Sequence, residues 1–342
     1  MKRNKHIFFV RSDFQYIVCK GIIENLELKA QDCIFVADRN TIIGNKYNQS
    51  TIYGIGKYLN FNERCKYYLK NLRLVNKFFR QGVITVYIPF QYRYASHDYN
   101  RFVYYEEGLS AYKVKEYHER NGEKGLIIRK LFVMLLAPFN KQVRGYLMGF
   151  VCQNNTPKNK VEIYSFSKLC YRNVLERYVE KRVITIPKEC DEKYHIEKNS
   201  TILILDRLSE FGRPFNLDNY IYCIKKCLER FKSLGINQIY LKYHPADYDN
   251  KTGCKQIDML LEDAGIKSTL FSGRLEYLAM QNLGIRFVGS SSTVLFYAPL
   301  LGKTNLSESF YKWLSDIDED YKLFISGWGN FEDFFSMNVQ CI

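Results

Sequence analysis

The sequence predicts an α/β protein made of two successive domains, and three observations favour this class. Short apolar runs of strand length alternate with segments of helical periodicity, this alternation stops in a polar stretch at about 187–200, and it begins again afterwards. Strands that alternate with helices form parallel sheets covered by helices. With 342 residues, of which 46% are hydrophobic, the chain is long enough for two hydrophobic cores.

The elements predicted for the first half share two signals. Short apolar runs predict strands, and apolar residues three or four positions apart predict helices. In chain order these elements are a strand at 7–10, a helix at 14–28, a strand at 33–37, a helix at 57–79, strands at 83–88 and 102–105, and a helix at 167–177. The opening order of strand, helix and strand indicates a parallel sheet.

The second half repeats this alternation, and glycines mark two helix ends, Gly235 and Gly265. The predicted domains are residues 1–190 and 191–325, and a terminal segment, 326–342, is expected to pack back on the first domain as a helix. The elements predicted for the second half are strands at 201–205, 238–243 and 286–289 and helices at 217–234, 257–264, 275–283 and 294–301.

The charge of the chain narrows the classes of partner. Lysine and arginine number 50 against 36 aspartates and glutamates, a net charge of +14, which favours an anionic partner: nucleic acid, an acidic sugar nucleotide or an anionic membrane face. No apolar run approaches the ~18 residues that a transmembrane helix needs. The basic start is followed by too short an apolar run for a signal peptide, so a cytoplasmic protein is expected. The ten cysteines are scattered, which predicts reduced thiols and no metal site.

Three serines, Ser290, Ser291 and Ser292, stand between the strand at 286–289 and the following helix. The first turn of a helix leaves backbone N–H groups unpaired and carries the positive end of the helix dipole. A phosphate at this place gains those donors together with serine hydroxyls. The alternative is that one serine caps the helix. Capping needs a single hydroxyl, so the row of hydroxyl residues favours phosphate binding.

A histidine, His244, ends the strand at 238–243 and is followed by Pro245, which fixes the direction of the chain. A protonated imidazole at this place would hold a nucleotide phosphate and stabilise the leaving group. Lys242 lies two residues earlier, and strand alternation points it to the same side. The alternative is a histidine whose ring is hydrogen-bonded to backbone carbonyls in a turn.

Two acids and a glycine, Glu106, Glu107 and Gly108, follow the strand at 102–105. Adjacent residues lie on opposite faces of a strand, so one carboxylate is expected to face the ligand and to act as general base on an acceptor hydroxyl. Gly108 permits a sharp turn and the close approach of a substrate. The alternative is a solvated acidic loop.

Five further polar residues follow the first strand of each half. Candidates for contacts with sugar hydroxyls are Ser12, Asp13 and Gln15, whereas Asp206 and Arg207 either contact a nucleotide or pair with each other. Ligands of open α/β sheets bind at the carboxyl ends of the strands. All the motifs are therefore expected at one cleft between two Rossmann-like domains that face each other, the architecture of two-domain, GT-B-type glycosyltransferases.

The acidic-acidic-glycine motif, the His-Pro motif and the serine pair resemble, in this order, those of the bacterial sialyltransferases of lipooligosaccharide and capsule synthesis. The resemblance covers motif order and domain layout over about 7–301. It implies a CMP-sialic acid donor, metal-independent transfer with inversion, Glu106 or Glu107 as the base, and contacts of His244 and the serines with the CMP phosphate. Members of this family often carry aspartate in the first motif, so either glutamate is a candidate for the base.

The predicted function is transfer of sialic acid from CMP-sialic acid to a hydroxyl of a surface glycan, namely an O-antigen, lipooligosaccharide or capsule precursor. The enzyme is expected at the inner face of the bacterial inner membrane, with no cofactor and no essential metal. Two alternatives stay open. One is another GT-B glycosyltransferase, or a polyol-phosphate transferase, that uses a UDP, GDP or CDP donor. The other is a basic nucleic-acid-binding protein, although the sequence carries no recognised nucleic-acid-binding motif.

Overall fold

The structure, a computed structural model, describes most of the second half of the chain and parts of the first. The described residues divide into two compact units, of which the first ends at Asp191 and the second begins at Glu192. The predicted helix at 57–79, most of that at 167–177, and Pro245 lie outside the described residues. These residues are 5–10, 12–38, 43–52, 84–89, 101–112, 161–170, 179–208, 216–244, 247, 251–327 and 331–342.

The first unit is built on a sheet of seven strands, and every neighbouring pair in it is parallel. The order across the sheet is β3-β2-β1-β4-β5-β6-β7. The strands are β1 (Lys5–Val10), β2 (Cys33–Asp38), β3 (Asn48–Ile52), β4 (Ile84–Pro89), β5 (Arg101–Tyr105), β6 (Val161–Ser165) and β7 (Val179–Val183).

The second unit has a sheet of six parallel strands in the order β10-β9-β8-β11-β12-β13. Counted from its own first strand this order is 3-2-1-4-5-6, that of the Rossmann fold, and the first sheet has the same order with a seventh strand added. The predicted α/β class with two Rossmann-like domains is thus confirmed. The strands are β8 (Thr201–Ile204), β9 (Gln238–Lys242), β10 (Lys267–Leu270), β11 (Arg286–Gly289), β12 (Leu306–Ser309) and β13 (Gln340–Cys341).

Within the described residues, a helix connects β1 to β2, and helices connect all successive strands of the second unit, as parallel pairing requires. Among the described residues, one α-helix belongs to the first unit and seven belong to the second. They are α1 (Asp13–Asn25), α2 (Leu217–Ser233), α3 (Lys251–Ala264), α4 (Leu275–Met280), α5 (Thr293–Leu301), α6 (Tyr311–Ile317), α7 (Glu319–Ser326) and α8 (Phe331–Phe335).

Local chemistry accounts for the predicted elements. All four residues of β8 are buried, as expected for an inner strand of a parallel sheet. Helix α2 begins where the Asn216 side chain accepts a hydrogen bond from the Asp218 N–H at 2.8 Å, and its end is followed by Gly235 with φ +72°. Its buried residues recur three or four positions apart and form one face; they are Tyr220, Cys223, Ile224, Cys227, Leu228 and Phe231.

The terminal segment is described at residues 326–327 and 331–342, and its expected packing on the first domain stays a prediction. These residues belong to the second unit, where β13 pairs in parallel with β12 as the sixth strand of the sheet. Helix α8 packs its rings in the same unit, with Phe331 stacked on Phe335 and edge-on to Tyr311. The physical reason for the pairing of β13 is that β12 offers backbone hydrogen bonds along its free side, which β13 satisfies.

The described cysteines are free thiols, and burial raises the pKa of Cys19 and Cys170 well above the ordinary value. Within the described ranges no group of three or more His, Cys, Asp and Glu side chains is arranged to hold a metal ion. In the same part of the chain, no helix combines the length and the apolar character needed to cross a bilayer.

Candidate functional site

The second sheet has its topological switch point between β8 and β11. From these two neighbouring strands the sheet continues through β9 on one side and through β12 on the other. Ligands of Rossmann-type sheets bind outside the carboxyl ends of the strands at such a point. The strands approach closely there, because a Cβ on Gly289 would lie 2.9 Å from the carbonyl oxygen of Ile204. Two loops leave the switch point, residues 205–208 after β8 and residues 290–292 after β11.

The loop of Ser290, Ser291 and Ser292, called the serine loop below, leads directly into α5. Ser292 is the N-cap residue of α5, yet its side chain makes no capping hydrogen bond, and the first turn carries no acidic residue. Ser291 and Ser292 are partly exposed, whereas Ser290 is fully buried. The Ser291 side chain makes a hydrogen bond with Tyr321. The Ser292 side chain and the N–H groups of the first turn are placed to donate to an anion, with the partly exposed Ser291 beside them.

Ser290 differs from its neighbours in being fully buried, with its polar groups engaged inside the protein. Its hydroxyl donates to the Asp206 carboxylate and accepts the Ser291 N–H at 2.6 Å. Its carbonyl oxygen accepts a hydrogen bond from the hydroxyl of Ser309, at the end of β12. Ser290 is thus fixed to the ends of two strands, and its hydroxyl is not directed to a ligand.

Asp206 follows β8 and is partly exposed as a residue, whereas its carboxyl is buried among hydroxyl groups. Its backbone N–H donates to the Tyr220 hydroxyl at 2.9 Å. Burial raises the pKa of the Asp206 carboxyl from 3.8 to about 6, and hydrogen bonds with Ser290 and Tyr220 oppose part of that rise. Burial and the nearby Asp206 charge also raise the pKa of Tyr321, whereas its hydrogen bonds with Ser290 and Ser291 oppose that rise. Asp206 thus titrates closer to neutral pH than an ordinary aspartate.

His244 lies just past the end of β9 and is exposed. The preceding residue, Tyr243, is buried, and its hydroxyl contacts the Asp258 carboxylate of α3 at 3.2 Å. The His244 carbonyl oxygen accepts the Asp247 N–H at 2.8 Å, and the buried Asp247 carboxylate accepts the Leu208 N–H at 2.6 Å. Asp247 therefore ties the loop that carries His244 to the loop that follows β8.

Lys242, the last residue of β9, is directed to the loop that follows β10. Its ammonium donates to the carbonyl oxygen of Gly273 at 2.7 Å and lies 5.7 Å from the centre of the Phe271 ring. Gly273 is closely packed, since a Cβ there would lie 2.6 Å from the Phe271 ring. The ammonium thus holds the end of β9 to this neighbouring loop.

The acidic motif of the first unit contains two different environments. Glu106 has no exposed surface, and its two carboxylate oxygens accept hydrogen bonds from the Tyr112 hydroxyl at 2.7 Å and the Phe166 N–H at 2.8 Å. Glu107 is partly exposed. Gly108 has φ +136°, a conformation open to glycine, so the chain turns sharply after the acids. Glu107 is thus the more exposed of the two acids, although its Oε2 atom is buried.

The residues after β1 lie at the start of α1. Ser12 is the N-cap residue, and its hydroxyl oxygen accepts the Gln15 N–H at 3.3 Å. Asp13 is partly exposed in the first turn, whereas the Gln15 side chain is buried. An acid in this first turn makes the N-terminus of α1 less suited to an anion than that of α5. The start of α1 is compatible with binding of the hydroxyl groups of a sugar.

The structure brings the predicted residues together in two groups, one in each unit. The second unit holds Lys242, His244, Asp206, Arg207 and the serine loop at the carboxyl edge of its sheet; the first unit holds Ser12, Asp13, Gln15, Glu106, Glu107 and Gly108 at the carboxyl ends of β1 and β5. Sequence reasoning missed the residues that brace the second group, which are Tyr220, Asp247, Ser309 and Tyr321. For Ser309 the only signal available was its position after a short polar segment, which did not predict a strand.

No protein-family model and no curated protein matches the chain. Among solved structures, a UDP-GlcNAc 2-epimerase from Methanocaldococcus jannaschii in complex with UDP-GlcNAc and UDP is 14% identical, with a TM-score of 0.49 over 90% of this chain and 84% of that chain. WaaG, a glycosyltransferase involved in lipopolysaccharide biosynthesis, is 11% identical, with a TM-score of 0.41 over 97% of both chains.

The GT-B domain of a sialyltransferase from Photobacterium damselae is 10% identical, with a TM-score of 0.46 over 99% of this chain and 100% of that chain. The identities of these three structures are 14% or lower and their TM-scores lie below 0.5. Such likenesses identify neither a family nor a substrate for this chain.

Proposed function

We propose that this chain is an inverting sialyltransferase that moves sialic acid from CMP-sialic acid to a hydroxyl of a surface glycan. The observation that carries the proposal is the serine loop, where two partly exposed serines and the first turn of α5, which has no side-chain cap, stand at the switch point of a Rossmann-type sheet. This arrangement suits the phosphate of a nucleotide donor. The choice of CMP-sialic acid rests on the resemblance of the three motifs to those of the bacterial sialyltransferases.

The leaving group is stabilised by groups of the second unit. As the bond between the anomeric carbon and the phosphate oxygen breaks, negative charge grows on the CMP phosphate. Hydrogen bonds from Ser291, Ser292 and the first turn of α5, together with a protonated His244, stabilise that charge. These donors supply the electrostatic stabilisation that a metal ion supplies in other transferases, so no essential metal is part of the proposal.

The acceptor is activated by a carboxylate of the first unit. Glu107 accepts the proton of the acceptor hydroxyl while the acceptor oxygen forms its bond to the anomeric carbon, and CMP departs with the electrons of the broken bond. Attack on the side opposite to the leaving group inverts the anomeric centre. Glu106 is assigned a different role, holding the turn after β5, because both of its oxygens accept hydrogen bonds inside the unit.

The partners beyond the donor are proposed from charge. The net charge of +14 suits contact with the anionic inner face of a bacterial membrane and with a lipid-linked acceptor, an O-antigen, lipooligosaccharide or capsule precursor. Ser12, Asp13 and Gln15 are the proposed contacts of the acceptor. Binding to vesicles that contain phosphatidylglycerol, with loss of binding in high salt, would support the membrane contact. Equal binding to neutral vesicles would contradict it.

The donor is tested with the purified full chain in the presence of EDTA. CMP-sialic acid and UDP-, GDP- and CDP-linked donors are offered in parallel, and the released nucleotide is measured. We expect CMP-sialic acid to release CMP and the other donors to release no nucleotide. In His244→Ala we expect kcat to fall about 10²- to 10³-fold. The matched control is His195→Ala, because His195 is also an exposed histidine of the second unit.

Two outcomes would contradict parts of this proposal. Turnover of a UDP, GDP or CDP donor in place of CMP-sialic acid would favour the alternative transferase class. The base is tested separately with Glu107→Gln, against Glu180→Gln as an exposed glutamate of the same unit. Turnover that survives in Glu107→Gln and is lost in Glu106→Gln would reverse the assignment of the two acids.

A further inference from the structure

We propose that Asp206 and Ser309 are positioning residues for the donor phosphate. They hold Ser290 from two sides and thereby fix the direction in which Ser291 and Ser292 present their hydroxyls. This inference rests on the proposed function in one respect, since it takes the serine loop as a phosphate site.

The first of the two residues that hold Ser290 is Asp206, in the loop that follows β8. The hydroxyl of Ser290 donates to the Asp206 carboxylate and accepts the Ser291 N–H at 2.6 Å, so one buried hydroxyl joins the carboxylate to the backbone of the next residue. Asp206 is itself held through its N–H to the Tyr220 hydroxyl of α2 at 2.9 Å. The direction of the Ser291 backbone thus depends on a carboxylate that lies beneath the loop.

The second residue that holds Ser290 is Ser309, the last residue of β12. The fully buried Ser309 donates its hydroxyl to the Ser290 carbonyl oxygen and accepts the Tyr311 N–H at 3.2 Å. The backbone between β11 and α5 is therefore fixed at the carbonyl and at the side chain of a single residue. Loops held in this way present ligand-binding groups with little cost of reorganisation.

Asp206 also places a titratable carboxyl next to the proposed anion site, through its hydrogen bond with Ser290. The hydroxyls that face Asp206 come from the serine loop (Ser290), α2 (Tyr220) and α7 (Tyr321), and Arg207 is its charged neighbour in the chain. Burial raises the pKa of both tyrosines, so they stay neutral near pH 7. An ionised Asp206 repels an anion bound above it, whereas a protonated Asp206 does not. With its pKa raised to about 6, the carboxyl changes charge within the range where the enzyme is assayed.

The probe for this inference is inorganic sulfate, because its charge does not change between about pH 5 and about pH 8. Binding to the full chain is measured by calorimetry. The double variant with Ser291→Ala and Ser292→Ala tests the location of the bound anion. We expect it to weaken sulfate binding by about tenfold or more, since it removes two hydrogen-bond donors.

The Ser309 side is tested with matched serines of β12. Ser309→Ala is expected to weaken sulfate binding about tenfold, and Ser309→Thr, which keeps the hydroxyl, is expected to restore most of it. Ser307→Ala is the control, because Ser307 is also buried and lies two residues earlier, on the same face of the strand. Equal losses in Ser307→Ala and Ser309→Ala, or no loss in either, would overturn the role of Ser309.

The Asp206 side is tested by a pH profile, which a purely structural role would not change. The variant that carries both Asp206→Asn and His244→Ala is compared with His244→Ala alone, so that the histidine does not contribute to the pH dependence. With the carboxyl present, sulfate affinity is expected to fall about tenfold from about pH 5 to about pH 8. With the amide it is expected to stay level. Equal slopes in the two proteins would overturn the role of Asp206.

Failure of this inference and failure of the proposed function give different results. If sulfate binding depends on these residues as expected but CMP-sialic acid is not turned over, the proposed donor is refuted and the positioning roles of Asp206 and Ser309 are retained. A chain that turns over CMP-sialic acid while the double serine variant keeps native sulfate affinity would refute the positioning roles and keep the donor.

Discussion

The Asp206 carboxyl allows a quantitative test of the packing around the serine loop. Burial raises its pKa from 3.8 to about 6, against the opposing hydrogen bonds with Ser290 and Tyr220. A carboxyl with a higher pKa in the folded protein than in the unfolded chain stabilises the fold below the lower value. That stabilisation is lost as the pH rises through the upper value. The loss is therefore expected between about pH 4 and about pH 7.

The size of this effect follows from the two pKa values. A tenfold change in proton affinity is worth about 1.4 kcal/mol, so the rise from 3.8 to about 6 corresponds to about 3 kcal/mol over the full titration. Close to half of it, about 1.4 kcal/mol, falls between about pH 5 and about pH 7.5. Asp206→Asn lacks the titration and keeps an oxygen that accepts from Ser290. Its free energy of unfolding should therefore gain about 1.4 kcal/mol on the native protein over this interval.

The assay is urea unfolding of both proteins at several pH values, with each cooperative transition fitted separately because the chain has two units. Asp263→Asn is the control, since Asp263 is an exposed aspartate near the end of α3. Only Asp206→Asn should show a stability difference that changes with pH. A difference that stays constant from about pH 5 to about pH 7.5 would refute the argument that the enclosed site disfavours the charged carboxyl.

Three further predictions concern the stability of the two units. Lys20→Met should lower the free energy of unfolding by about 3 kcal/mol or more, because it leaves the largely buried Asp191 carboxylate without its ammonium partner at 2.7 Å. The control is Lys46→Met, which breaks the exposed ion pair with Glu189 and should cost less than about 1 kcal/mol. Glu106→Leu should lower the free energy of unfolding by about 2 to 4 kcal/mol, because the partly buried Phe166 N–H and the buried Tyr112 hydroxyl lose their acceptor. Glu106→Gln should cost less, and equal losses in urea unfolding would contradict this. Gly289→Ala should cost about 1 to 3 kcal/mol, since its Cβ would lie 2.9 Å from a backbone oxygen of β8, and an unchanged melting temperature would show that this approach is not tight.

The strands that were predicted well are those whose side chains are buried. The strand at 286–289 has the predicted bounds, and the predicted helix at 217–234 differs from α2 by one residue. Six strands were missed, namely β3, β6, β7, β10, β12 and β13, and the polar strands β10 and β12 show one reason. All four residues of β10 are exposed at the edge of the sheet, and β12 is the polar sequence Leu-Ser-Glu-Ser, of which three residues are buried. Backbone pairing with a neighbouring strand holds these segments, and hydrophobic patterning does not report such pairing.

The candidate site was predicted at the level of loops and not of single side chains. Each of the three motifs has described residues at the carboxyl end of a parallel strand. Within a motif, adjacent residues of the same type have different environments. Glu106 is fully buried whereas Glu107 is partly exposed, and Ser290 is fully buried whereas Ser291 is partly exposed. Identical neighbours in a sequence cannot be told apart without their contacts, so this distinction was beyond the sequence.

The sequence by itself determined the alternation of strands and helices, the division into two units and the loops that carry polar groups, because periodicity and chain order are local properties. Tertiary structure alone decided which of those polar groups are engaged inside the protein. The partners of Ser290 are Asp206, 84 positions away, and Ser309, 19 positions away. Hydrogen bonds between residues so distant in the chain exist only once the strands have assembled in Rossmann order, which places the ends of β8, β11 and β12 side by side.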